Sequence, residues 1–136
     1  MLGEHLHLLQ SGEPPLMFED GNWSWVILDG GGNDVNDECE CGSCLDTLDS
    51  MISKDAASGE WVDFIEEILD TSARVALMSY YRMPDDAEFG FHRCNDEVEE
   101  LRQRYQALSS RHPKVLVVDT AKVVSPETTP ESYDED

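Results

Sequence analysis

Apolar residues fall along this chain in two rhythms. Three runs are almost uninterrupted: Val26, Ile27 and Leu28 within "NWSWVILDG", then "ARVALMSYY", then "KVLVVDT". Such runs predict strands covered on both faces, as in a parallel sheet. Between them the apolar residues return every three or four positions. Leu45, Leu48, Met51 and Ile52 predict one helix, with Ser43 as N-cap and Asp46 at its third position. Trp61, Ile65, Ile68 and Leu69 predict a second, capped by Ser58. Val98, Leu101, Tyr105 and Leu108 share one face of a third, from about Asp96 to Ser110 and stopped before Pro113. Near the amino terminus Leu2, Leu6 and Leu9 recur at helical spacing. They predict a short amphipathic helix over residues 2–10, ended by Ser11-Gly12 and followed by a Glu13-Pro14-Pro15 linker. The segment from Pro84 to Asn95 has no period and reads as a loop.

Strand, helix, strand, helix, strand, with near-continuous apolar strands, points to right-handed crossovers and a parallel α/β sheet of about three strands. Residues 1–124 read as one α/β domain. The last twelve, "SPETTPESYDED", hold five acids and no base and read as a solvated acidic tail. Three strands are few for such a sheet, whose faces need helices and whose edges need protection.

Charge narrows the partners. The 136 residues carry 30 acids against 9 bases, a net charge of −21. Phosphates would be repelled, which argues against nucleic acid or anionic lipid. No segment reaches the roughly 18 consecutive apolar residues of a membrane-spanning helix. The opening "MLGEHLHLLQSGEPP" lacks the basic start and long apolar run of a secretion signal. Four cysteines could form two disulfides, which would suit a secreted or periplasmic setting and conflicts with that start, so the compartment stays open.

Candidate chemistry gathers where the first apolar run ends, in "VILDGGGNDVNDECECGSC". Functional groups in open α/β sheets collect just past the carboxyl ends of strands. Gly30-Gly31-Gly32-Asn33-Asp34 is expected there. Glycines let a backbone turn sharply and let a ligand approach without a Cβ in the way. An Asn amide brings two N–H donors and no charge, suited to a developing oxyanion. A plain turn is the competing reading. The run is not a phosphate loop, since no Gly-Lys-Ser/Thr follows, and it lacks the spaced glycines of a dinucleotide site.

These residues carry a resemblance. "WVILDGGGNDVNDECECGSCLDTLDSMIS" resembles the third conserved block of the SGNH (GDSL-type) hydrolases, Gly-x-Asn-Asp after a central strand, here Gly31, Gly32, Asn33 and Asp34. It continues through "ARVALMSYYRMP" and "VLVVDTAKVV" and ends in "ESYDED", where the family leads into an Asp-x-x-His. The resemblance implies a three-layer α/β/α, flavodoxin-like parallel sheet, truncated here to about three strands. It also implies hydrolysis of small-molecule, carbohydrate or lipid esters by serine acyl transfer, without a cofactor or metal. Asn33 becomes the oxyanion donor, Asp34 a brace for the loop, and Asp136 a candidate triad Asp.

The departures are as specific. No Gly-Asp-Ser occurs, "LQSGEPP" around Ser11 is not a nucleophile turn, and the family's oxyanion glycine block is not visible. His5, His7, His92 and His112 do not match the catalytic position. The expectation is an internal piece of a longer hydrolase, with an oxyanion donor but no nucleophile or base. Two alternatives stay open: a non-catalytic acidic interaction module, and an α/β domain stapled by its cysteines. Cys39, Cys41 and Cys44 with distant Cys94 have enough thiolates for a zinc site but lack the two-plus-two spacing of a knuckle. A disulfide staple from this loop to the one before the Asp96 helix competes with zinc and with free thiols. Cys41-Gly42-Ser43-Cys44 is formally a Cys-x-x-Cys, but the neighbouring acids would raise its thiol pKa.

Overall fold

The computed structural model describes residues 21–84 and 93–124, and residues 6–10 as backbone alone. Four strands form one sheet: β1 (Leu6–Gln10), β2 (Trp25–Asp29), β3 (Arg74–Met78) and β4 (Val115–Val118). They lie side by side in chain order and every pairing is parallel. The mixed α/β class with a parallel sheet is therefore as the apolar runs predict, with one strand more. That strand corrects the amino-terminal helix expected over residues 2–10. Leu6 and Leu9 fit helical spacing while Leu6 and Leu8 fit a period of two across His7, and pairing with β2 decides between the two periods.

Four α-helices are described: α1 (Gly32–Asp37), α2 (Leu45–Met51), α3 (Glu60–Asp70) and α4 (Asn95–Arg111). Ser43 and Ser58 are not the N-caps. Cys44 and Gly59 take those positions, and neither supplies a side-chain cap bond. Val98, Leu101, Tyr105 and Leu108 are all buried, as the α4 period predicts. On α3 the buried face is Val62, Phe64, Ile65 and Ile68, while Trp61 and Leu69 flank it.

Side chains alternate across a strand, so the sheet has two faces. Val26 and Leu28 of β2, Val75 and Leu77 of β3, and Val115 of β4 join one core with the helices. On the other face Leu116 and Val118 are 52% and 40% exposed. The expected three-layer sandwich is thus two-layered among the described residues. The strand order gives the reason. Each strand is added beside the last in one direction, and right-handed crossovers then put the β2–β3 and β3–β4 connections over the same face. A second helix layer needs the order to reverse, and among the described strands it does not. No described helix is long and apolar enough to cross a membrane. The acidic tail over 125–136, the Pro14-Pro15 linker and most of the loop after Pro84 lie outside the described residues.

One buried charge ties the helical layer together. Arg104 of α4 is 2% exposed; its guanidinium donates to Ile52 O at 2.6 Å, pairs with Asp49 of α2 at 2.6 Å and with Glu100 at 3.2 Å. The planar fork of Arg suits this three-way grip, which a Lys could not match.

Candidate functional site at the carboxyl end of β2

β2 ends at Asp29, and Gly30 takes the chain into the helical layer. The Gly30 carbonyl, buried, accepts a hydrogen bond from the Tyr105 hydroxyl at 2.8 Å, which satisfies both groups. Gly31 then turns with φ +88° and stands as N-cap of α1. Glycine is required here twice over: L side chains rarely adopt that φ, and a Cβ would sit 2.7 Å from Leu101 Cδ2 and 2.9 Å from Met51 Cε. At Gly32 a Cβ would come 2.5 Å from Tyr80 Cζ. Two tyrosines from distant parts of the chain thus clamp the turn, Tyr105 behind Gly30 and Tyr80 against Gly32.

The clamp positions the next residue. Asn33 is exposed on the first turn of α1, just past the carboxyl end of β2, with Asp34 half-buried beside it. Burial, first, and then the charges of Tyr80, Asp29 and Asp34 push the Tyr105 hydroxyl well above its ordinary pKa, so it remains a proton donor to Gly30.

The neighbouring strand end is fixed as firmly. Ser79 follows β3; its N–H donates to Val118 O at 3.0 Å, its Oγ accepts from Thr120 N at 3.1 Å, and the Thr120 hydroxyl donates to Ser79 O. The chain after it is pinned by Asn95, whose amide donates to Met83 O at 3.0 Å and accepts from Met83 N at 3.1 Å. Tyr80 also lines a pocket of about 170 Å³ with Arg82, Asn95 and Arg102. Arg102 is committed within the fold, at 2.8 Å from Glu99 and 2.7 Å from Asp119. Those hydrogen bonds, Glu99 first, hold its pKa above the ordinary value and that of Glu99 below.

The cysteines join the same region to α4. Cys39 is bonded to Cys44 and Cys41 to Cys94, so the loop leaving α1 is closed on itself and fastened to the N-cap of α4. No group of three or more His, Cys, Asp or Glu side chains is placed to hold a metal among the described residues.

Of the remaining sequence candidates, His112 is not brought to Asn33. His112 is the C-cap of α4, at the end of the sheet where β4 begins, with Nε2 3.7 Å from Glu66. His7 lies in β1 opposite Val26. Ser11, His5, His92 and Asp136 lie outside the described residues. Tyr105 and Tyr80 join the site without having been among its sequence candidates. A signal for Tyr105 was present, since a hydroxyl within an apolar helical stripe has to find a buried partner. Nothing local marked Tyr80. Neither family models, curated proteins nor solved structures give a match to this chain.

Proposed function

We propose that this chain carries the oxyanion side of an ester-hydrolase site of the SGNH type, with Asn33 as the donor. The observation that supports the reading best is the placement of Asn33. It is exposed just past the carboxyl end of a parallel strand, on a turn held from behind by Tyr105 and from the side by Tyr80. A donor that stabilises charge in a transition state works best when it needs no reorganisation at the moment of reaction. A clamped turn fixes the backbone that carries Asn33.

The chemistry is acyl transfer. A serine oxygen adds to the ester carbonyl, a base takes its proton, and the carbonyl oxygen becomes an oxyanion that an amide N–H can hold. This chain's own residues supply the last part. Among the described residues no serine hydroxyl is hydrogen-bonded to a histidine: Ser79 is engaged by Thr120, and His112 faces Glu66. The reading therefore predicts hydrolysis of p-nitrophenyl acetate at the rate of an Asn33→Ala control. Turnover above that control would contradict it. The donor role has its own test, binding of a tetrahedral monoanion such as methyl methylphosphonate at Asn33.

A further inference from the structure

We propose that the Cys41–Cys94 disulfide is a reversible redox modification site, opened by a small neutral dithiol, and that its opening loosens the Asn33 turn. Two bonds meet in one short loop, but they differ in what they hold. Cys39–Cys44 spans a sequence separation of 5 and closes a local ring, whereas Cys41–Cys94 spans 53 and joins α1's exit loop to the start of α4. Access differs within each pair. Cys94 and Cys44 are buried, at 0% and 3% exposure, while Cys41 and Cys39 are half-buried. An incoming thiolate therefore meets Cys41 rather than Cys94. Backbone conformation sets Cys41 apart from Cys39. Glu40 and Cys41 have φ of +50° and +54°, a left-handed conformation that non-glycine residues keep only when their surroundings impose it. The tether to α4 restrains this turn together with the Cys39–Cys44 ring that encloses it and the bond from Cys41 N–H to Val35 O at 2.9 Å.

The exchange balances without an unnamed reagent. One thiolate of the dithiol attacks Cys41 Sγ; the protein S–S bond breaks and Cys94 leaves as a thiolate that takes up a proton. The second thiol of the reagent then displaces Cys41 Sγ, giving a cyclic disulfide and a Cys41 thiol. The dithiol loses two electrons and two protons, and the two cysteines gain them. Charge selects the reagent. Asp37, Glu38 and Glu40 are exposed around Cys41, and Asp96 and Glu97 follow Cys94. Anionic glutathione is repelled where a neutral dithiol is not, and added salt narrows the difference.

The consequence runs through α4. Cys94 caps the helix whose Leu101 abuts Gly31 and whose Tyr105 holds Gly30 O. Opening the bond removes the covalent link between the start of α4 and the exit of α1, leaving the first to the hydrogen bonds of Asn95 and the second to the Cys39–Cys44 ring. The bond's reactivity does not depend on the ester-hydrolase reading; its meaning for Asn33 as a donor does.

The test uses the whole oxidised chain in native buffer with dithiothreitol, quenched by alkylation over time and mapped by peptide mass, with hydrogen exchange alongside. Cys41 and Cys94 should be alkylated before Cys39 and Cys44. Amide exchange over 31–37 and 95–101 should then speed up by about tenfold or more, while β3 stays protected. Glutathione at equal thiol concentration should be slower, and less so at high salt. A Cys41→Ser/Cys94→Ser variant should show the same exchange pattern without reductant. The proposal is overturned if all four cysteines open together, if Cys39–Cys44 opens first, or if residues 31–37 stay protected once Cys41–Cys94 is open. A turn that loosens on reduction yet never binds methyl methylphosphonate removes the hydrolase reading and leaves the redox site standing.

Discussion

The Tyr105 hydroxyl and the Gly30 carbonyl are each other's buried partners, so either one alone would be a polar group left without a hydrogen bond. Tyr105→Phe keeps the ring and its contact with Trp61, removes the donor, and should cost about 1–3 kcal/mol in urea unfolding. The same hydroxyl gives an alkaline signature. Its folded pKa lies above the ordinary 10.0, so the folded state holds the proton more tightly than the unfolded chain. That contribution is complete below pH 10 and is lost as pH rises through the folded value. Stability should therefore fall above about pH 10, and less steeply in Tyr105→Phe, as thermal melts across that range would show. Gly31→Ala combines a forbidding φ with a clash against Leu101 and Met51 and should destabilise by about 2 kcal/mol or more. A neutral Gly31→Ala melt would contradict the clamped turn. The turn's place after an apolar strand was legible in the sequence. Its clamps were not, because Tyr80 and Tyr105 reach it from far along the chain.

Among the elements, α4 carries the connections. Arg104 locks it to α2 and to Ile52 O, and Cys94 locks its start to the loop after α1. Arg104→Ala should cost about 3 kcal/mol or more, since it leaves Ile52 O buried without a donor and opens a cavity. Asp49→Asn should cost less, because Asp49 is exposed and two other acceptors remain to the guanidinium. Cys41→Ser/Cys94→Ser releases the 53-residue tether from the unfolded chain and should lower stability by about 4 kcal/mol. Urea midpoints of the three variants check that ranking. Long periodic elements were readable: α3, α4 and the strands β2, β3 and β4 follow their apolar spacing. α1 was not, since "GNDVND" offers one apolar residue and no period. β1 was misread because a five-residue leucine-rich stretch satisfies both periods.

At the scale of the molecule, a parallel sheet with described helices on one face has to live with a net charge of −21. Self-repulsion of that size weakens the compact state and is screened by salt. The melting temperature should rise between about 10 mM and 0.5 M sodium chloride, over which the Debye length shrinks several-fold; a flat response would show that the charges are already neutralised by their neighbours. The class of the sheet followed from its apolar runs, whereas its layering did not, because layering depends on strand order and periodicity does not encode order. The proposed role of the clamped turn is to carry Asn33 as a donor to an oxyanion. The measurement that tests it most directly is an ¹⁵N NMR titration with methyl methylphosphonate in 0.15 M salt, where the Debye length is about 8 Å. The Asn33 side-chain amide should show a saturable shift, with matching shifts of the Gly31 and Gly32 amides that disappear in Asn33→Ala. Shifts that never saturate, or glycine shifts that persist unchanged in Asn33→Ala, would contradict it.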